Sequence, residues 1–496
     1  MHRALLVETV TAATMAELIG ARDTATRSDL VELRLDGVSD VDVAQALHGR
    51  PRPVIVTVRP TWEGGLFEGS EETRRALLLQ ALDAGAEYVD VEWRAGFADV
   101  IARDPRRIVI SSHDFQSVPT DLAARATAMR QSGAGTIKIA IPATRLSDAL
   151  PLLPIAAEGN AVIIAMGDAG IPTRLLASRL GSRWTYSGDS VAPGQVPAAR
   201  MLDEYRFRSV GPDTAIYGVV GNVGLHSMSP RMHNAAFEAA GLDAAYVPLC
   251  AADFEDFVVF AEAMNIEGVS VTIPFKLDAL RAAGSADELT RAIGAANTLR
   301  RSRAKTEWEA TNTDAAGFLE PLEAVYPASL SGARVAVLGA GGAARAVVVA
   351  LVSRGARVTV HARRVEQATE VVDLSRRSVG HGGGGAVAAF WPPAPGSWDL
   401  LINCTPLGGP NARGESPLPG GPFDGRLVYD LTYGDEESPL LREARTARCL
   451  TLDGLPMLIA QAERQFEWWT GQKPEPGVMK AAVAARTFKV RETIAS

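Results

Sequence analysis

Residues 335–351 read VAVLGAGGAARAVVVAL. An apolar run meets Gly339-Ala340-Gly341-Gly342-Ala343 and continues into an alanine- and valine-rich stretch, the order of a buried strand, a glycine turn and a helix start. A dinucleotide pyrophosphate resting on a helix N-terminus needs that order. The first glycine allows the tight turn, the second lets the backbone approach the ligand, and a third small residue, here Ala344, closes the fingerprint. A lone match of this kind is weak, and such a unit usually opens its domain. Here more than three hundred residues precede it.

The next strand-like run, ARVTVHARR, ends in Arg363 and Arg364. An NAD-binding unit normally offers an acidic residue to the ribose hydroxyls at this point, whereas two guanidiniums suit the 2′-phosphate of NADP.

At 496 residues the chain is too long for one hydrophobic core, so two or three domains are expected. Its 47% hydrophobic and 22% charged residues are those of a globular protein, and a formal charge of -8 argues against a general nucleic-acid binder. Cys250, Cys404 and Cys449 stand far apart, which suggests neither a disulfide framework nor a zinc site; no metal is expected. The start MHRALLVETV enters a strand-like run directly, and the longest apolar runs are too short to span a bilayer. A soluble, cytoplasmic protein without a membrane partner is expected.

Residues 1–205 hold eight short β-rich runs alternating with helical text: LLVETV from Leu5, LVELRLD from Leu30, PVIVTVR from Pro53, YVDVEW from Tyr88, RIVISSHD from Arg107, TIKIAIP from Thr136, AVIIAMGD from Ala161 and RWTYSG from Arg183. This spacing predicts a small (β/α)8 barrel. Polar groups stand near the ends of several runs: Glu32, Arg34, Arg59, Asp90, Glu92, His113 and Lys138. In a barrel these converge at one mouth. Lys138 lies inside an apolar strand, where desolvation would lower its pKa and supply the neutral amine that attacks a ketone; alternatively it forms a structural ion pair with Asp90 or Glu92. His113 closes the preceding strand and is a candidate general base.

ELRLD, VTVRPTWEGG, SSHDF, IKIAIP and APGQ together resemble the type I 3-dehydroquinate dehydratases in order and spacing. The resemblance implies that Lys138 forms an imine with the substrate ketone and that His113 removes the α-proton and assists loss of water. It also implies that Glu63 partners the histidine, while Glu32, Arg34, Arg59, Arg174 and Gln195 bind substrate. Where that family often has serine, four residues before the glutamine, this chain has Val191.

A Gly-Pro-Asp break at 211–213 marks a boundary. Beyond it, Ser227 and Ser229 lie ahead of Pro230, where hydroxyls either cap a helix or receive a carboxylate. Lys276 follows a strand in VSVTIPFK, and Asp314 precedes a helix in ATNTDAAGF; the two either share a proton site or are solvated surface charges. HSMSP, VTIPFK, GAANTL, NTDAAGF, GAGGAAR, YDLTY and DGLPMLIAQA, in that order, resemble the shikimate dehydrogenases. That resemblance assigns Lys276 and Asp314 to catalysis, Ser227, Ser229 and Tyr433 to a substrate carboxylate, and Thr272, Asn297 and Gln461 to hydroxyls. Thr405 joins the glycine turn in holding NADP. Ser270 stands where bacterial members often have asparagine.

The expected architecture is therefore α/β throughout. A barrel over 1–209 is followed by a substrate domain over 214–316, a Rossmann NADP-binding domain over 317–455, and C-terminal helices over 456–496 that pack back on the substrate domain. The whole resembles the bifunctional 3-dehydroquinate dehydratase/shikimate dehydrogenases, which implies dehydration of 3-dehydroquinate and NADPH-dependent reduction of 3-dehydroshikimate to shikimate. A Schiff-base aldolase barrel fused to a quinate-type dehydrogenase is the alternative, because a barrel lysine alone does not choose dehydration over C–C cleavage.

Overall fold

A computed structural model describes residues 3–188, 193–304, 306–378, 384–409, 412–434 and 436–484. Val191 and the glycine-rich stretch 380–383 lie outside the described residues. By internal contacts the chain divides into two compact units, one of residues 1–218, 223–230 and 243–266, the other of 219–222, 231–242 and 267–496.

In the first unit the eight apolar runs become eight strands: β1 (Leu5–Thr11), β2 (Leu30–Arg34), β3 (Val54–Thr57), β4 (Tyr88–Glu92), β5 (Ile108–His113), β6 (Thr136–Pro142), β7 (Ala161–Met166) and β8 (Trp184–Ser187). The sheet runs β7-β6-β5-β4-β3-β2-β1-β8, and every registered pair is parallel. Parallel strands covered on both faces read as continuous Val/Ile/Leu runs, which is why period-two alternation is absent here. At the seam the amide of Arg183 donates to the carbonyl of Ala161 at 2.9 Å, and that of Ile163 to Ser182 Oγ at 3.3 Å, so the sheet is nearly closed. The register sets Thr57 beside Asp90 and Ser111 beside Lys138, stacking polar side chains inside the C-terminal half of the barrel.

Next along the chain come β9 (Ala215–Val220) and β10 (Ala244–Leu249). The helix Phe254–Ala263 follows, capped by Asp253, whose carboxylate accepts from the amide of Asp256. Asp256 is 1% exposed. Its carboxylate accepts from the amides of Leu146 and Ser147, both at 2.9 Å, in the loop that follows β6. Arg145 reinforces the join through an ion pair to Asp253 at 2.8 Å.

In the second unit, β11 (Ile266–Val271) pairs antiparallel with β13 (Thr298–Arg301), which pairs antiparallel with β14 (Trp308–Thr311); β12 (Ser285–Ala286) lies parallel to β14. The remaining strands, β15 (Arg334–Leu338), β16 (Arg357–His361), β17 (Gly385–Ala389), β18 (Leu400–Asn403), β19 (Leu427–Asp430) and β20 (Leu450–Leu452), form a parallel sheet in the order β17-β16-β15-β18-β19-β20. Renumbered within the sheet, this is the 3-2-1-4-5-6 order of a dinucleotide-binding fold. Val335, Val337, Val347 and Leu351 from the opening stretch are buried in its core. The helix Leu455–Thr470 packs on the helix Asp314–Val325 so closely that a Cβ at Gly317 would lie 2.8 Å from Gln461 Cβ.

Candidate active sites

A cavity of about 250 Å³ opens inside the barrel, and the eight residues that the dehydratase resemblance assigns to catalysis or substrate binding line it, while Asp90 and Glu92 stand behind them. Lys138 projects from β6 and is 4% exposed. Its Nζ lies 3.1 Å from Asp90 Oδ2 and 3.5 Å from Glu32 Oε1, and 4.2 Å from the centre of the Tyr186 ring. Burial alone would lower its pKa, as expected from sequence, but Asp90, Tyr186 and Glu32 outweigh burial and hold the ammonium above its ordinary value. The resting lysine is thus charged rather than neutral.

His113, at the end of β5, has the opposite bias. Burial, followed by the charges of Arg59 and Lys138, holds its pKa well below the ordinary value, so the imidazole is neutral. Its Nδ1 lies 3.0 Å from Glu63 Oε1, and its backbone amide donates to the same oxygen at 3.0 Å. Burial pushes the Glu63 carboxyl up to about 7, against the pull of Arg59.

Arg59 is buried among acids: it donates to Glu92 at 2.7 Å and Ser111 at 2.9 Å, and pairs with Asp90 at 3.1 Å. Arg34 is held bidentate by Asp36, both contacts at 2.8 Å. Glu32 accepts from Thr9 and Thr57 at 2.9 Å each. Arg174 differs from its neighbours. It is 2% exposed, reaches only the carbonyls of Tyr186 and Pro193, at 3.2 and 3.3 Å, and has no carboxylate partner among the described residues. Burial lowers its pKa to about 10. A buried cation without an anion suits a ligand carboxylate. Sequence reading missed Tyr186, which covers the lysine, and Thr9; their only signal was their place in runs already read as barrel strands.

In the second unit, Lys276 Nζ lies 2.5 Å from Asp314 Oδ2. Neutral amides surround the pair. Asn297 Nδ2 donates to Asp314 Oδ1 at 2.8 Å and approaches Gln461 Oε1 at 3.4 Å, while Asn312 Oδ1 accepts from the amide of Asp314 at 3.0 Å. The aspartate opens the helix Asp314–Val325, where backbone N–H groups favour negative charge. Thr272 borders this region, its amide bonded to the carbonyl of Val220 at 3.0 Å. Ser270, at the position of the asparagine difference, donates to Gln465 at 2.7 Å; Gln465 in turn donates to Thr298 at 2.9 Å.

Gly339 has φ +105, a conformation that requires glycine, and Gly341 has nothing within 4 Å of an added Cβ. The turn therefore has open space where the backbone would meet a pyrophosphate, at the N-terminus of the helix Gly342–Ser353. Thr405 flanks it: a Cβ at Gly339 would lie 3.2 Å from Thr405 Cγ2. A Cβ at Gly342 would come 3.1 Å from Lys276 Cδ, so the nucleotide turn and the lysine are neighbours. Arg363 and Arg364 follow β16, exposed and without ion pairs among the described residues. These features fit a 2′-phosphorylated dinucleotide. Tyr433 is half-buried in a loop after β19. Ser227 and Ser229 stand together in the first unit: Ser227 Oγ accepts from the amide of Ser229, at 3.2 Å, at the head of the helix Ser229–Ala239.

Fold and sites define a class: an α/β chain joining a lysine-bearing barrel to a dinucleotide-dependent dehydrogenase unit. The type I 3-dehydroquinase family model matches residues 7–212, the shikimate dehydrogenase substrate binding domain residues 219–299, and the shikimate 5′-dehydrogenase C-terminal domain residues 454–484. The chain is 33% identical over 479 residues to the chloroplastic bifunctional 3-dehydroquinate dehydratase/shikimate dehydrogenase of Arabidopsis thaliana, over 90% of this chain and 78% of that one. It is 40% identical over 282 residues to a shikimate dehydrogenase (NADP(+)) of Salinibacter ruber, over 54% of this chain and 95% of the relative. A crystal structure of shikimate dehydrogenase in complex with NADP+ is similar at 32% identity and TM-score 0.50, over 55% of this chain and 96% of that one. The chain belongs to the family of bifunctional 3-dehydroquinate dehydratase/shikimate dehydrogenases.

Proposed function

We propose that the barrel dehydrates 3-dehydroquinate through an imine at Lys138 and that the second half reduces the product, 3-dehydroshikimate, to shikimate with NADPH. The observation that carries the first step is the pairing, in one cavity, of a lysine with a neutral histidine held by a carboxylate. Because Lys138 rests as an ammonium, it must lose a proton before its nitrogen adds to the ketone; His113 is the neutral base the cavity offers. His113 then returns that proton to the carbinolamine oxygen, which leaves as water as the imine forms, and the histidine is neutral again. The protonated imine is an electron sink, so the adjacent C–H becomes acidic enough for His113 to remove its proton, and the β-hydroxyl departs as water with that proton. Hydrolysis of the imine frees the lysine and the product. Arg174 is assigned the substrate carboxylate, and Glu32, Arg34, Arg59 and Gln195 the rest of its polar surface.

In the second half, NADPH would supply hydride to the ketone carbon when bound. Lys276 and Asp314 manage the proton at the carbonyl oxygen, with Asn297, Thr272 and Gln461 on hydroxyls and Ser227, Ser229 and Tyr433 on the carboxylate. Gly339 to Ala343, Thr405, Arg363 and Arg364 hold the cofactor. The family's activity and the fit of the turn and arginines to a 2′-phosphate support this reading. The domains are assigned as 1–209, 214–316, 317–455 and 456–496. Among the described residues no helix is long and apolar enough to cross a membrane. All three cysteines are free, which suits a reducing compartment, and a cytoplasmic location is proposed.

The test supplies 3-dehydroquinate with NADPH and follows enone absorbance and shikimate. Borohydride added with 3-dehydroquinate should then fix a substrate-derived mass on Lys138 and abolish dehydration, while reduction of added 3-dehydroshikimate survives. A label on another lysine, or loss of both activities together, rejects the scheme. Cleavage products without enone would favour an aldolase.

A further inference from the structure

Phe390 is 81% exposed, more than any other large hydrophobic residue described. It immediately follows β17, and the backbone is held on both sides of it. The register pairs His361 with Ala389, His361 Nδ1 contacts the carbonyl of Phe390 at 2.6 Å, and Trp391 packs against the cluster containing Leu338 and Trp398. The backbone is thus anchored before and after a ring left in solvent. A phenyl ring held in solvent on a fixed backbone offers apolar area that a ligand can cover without rearranging the chain.

Its place in the sheet indicates the ligand. In a 3-2-1-4-5-6 sheet the dinucleotide lies across the carboxyl ends of the strands, with its pyrophosphate at the turn after the central strand, here β15. The adenosine half then extends over β16 and toward β17. Arg363 and Arg364 leave the end of β16, and Phe390 leaves the end of β17 beside them. A purine next to a 2′-phosphate held by those arginines meets a flat aromatic face.

We propose that Phe390 is the stacking platform for the adenine ring of the cofactor, an inference that rests on the NADP reading above. The ring presents a π-face to a heteroaromatic base, an interaction that tolerates any aromatic side chain but not an aliphatic one.

Calorimetric titration of the full chain with NADPH, and separately with adenosine 2′,5′-bisphosphate, tests this. Phe390→Ala should weaken both about tenfold, in the range of base–aromatic stacking. Phe390→Trp should restore both, and the far-ultraviolet circular dichroism and thermal unfolding profile of each variant, matched to the wild type, report correct folding of the unit that carries Phe390. Unchanged affinity of Phe390→Ala for the bisphosphate overturns the assignment, as does a loss that Phe390→Trp fails to repair. If the wild-type chain itself binds neither ligand, the cofactor reading falls, and this inference with it.

Discussion

Both sites hold a lysine against an aspartate, yet their surroundings differ. Lys138 is enclosed by β-strands with Asp90, Glu32, Arg59, Glu92 and Glu63 nearby, so several charges share one poorly solvated cavity and shift one another. Lys276 and Asp314 form a single ion pair whose other partners are neutral amides. The difference follows the chemistry proposed for each. A covalent route needs a nucleophile, a base and a proton acceptor in one enclosure, whereas hydride transfer needs only a proton donor beside a cofactor that carries the electrons.

Exchanging the effects of the two lysines is the strongest challenge to that contrast. Lys138→Ala should lower dehydration by on the order of a thousandfold or more while leaving reduction of 3-dehydroshikimate at its original rate. Lys276→Met should lower reduction by roughly 10²–10⁴-fold and spare dehydration. Each is measured with both assays on one preparation, and cross-effects would mean that the sites are coupled.

Glu63 gives a pH test. Above about 7 it is ionised and accepts the Nδ1 proton of His113, leaving Nε2 free as a base. Below that value a protonated Glu63 donates to Nδ1 and favours the unproductive tautomer. Dehydratase kcat/KM should therefore fall about tenfold per pH unit below 7 and level off above it. Glu63→Gln should remove this dependence, and reduction should show no such limb. A profile unchanged by Glu63→Gln would assign the ionisation elsewhere.

Neutralising Arg363 and Arg364 together should cost NADPH about tenfold or more in affinity and NADH little, since charge-assisted contacts are involved but both side chains are exposed. Equal losses would reduce the arginines to supports of the fold. The smallest effect concerns stability: Asp256→Ala leaves the amides of Leu146 and Ser147 without their acceptor, which should cost about 1–3 kcal/mol and lower the first unfolding transition by a few degrees. An unaltered melting profile would show that water replaces the carboxylate.

Much was legible because each element carries its own signal. The eight strands of the barrel were visible as short apolar runs, since strands covered on both faces leave no polar alternation to confuse the reading. The nucleotide turn was visible because Gly339 adopts a conformation that other residues rarely accept. Among the cavity residues Tyr186 and Thr9 could not be named, whereas eight others could, some from polar groups at strand ends and the rest through the family resemblance. Their ionisation could not. From sequence, burial argued for a neutral Lys138, but its charge depends on Asp90 and Glu32, which lie 48 and 106 positions away in the chain. Likewise Asp256 is an ordinary helix-start acid until folding brings it to the amides after β6, beyond the boundary read at 211–213. Local pattern determines which elements form and which chemistry they carry. Electrostatics and packing are sums over neighbours in space, so the protonation of the barrel lysine, the lack of a carboxylate partner for Arg174 among the described residues and the exposure of Phe390 were decided only by the folded chain.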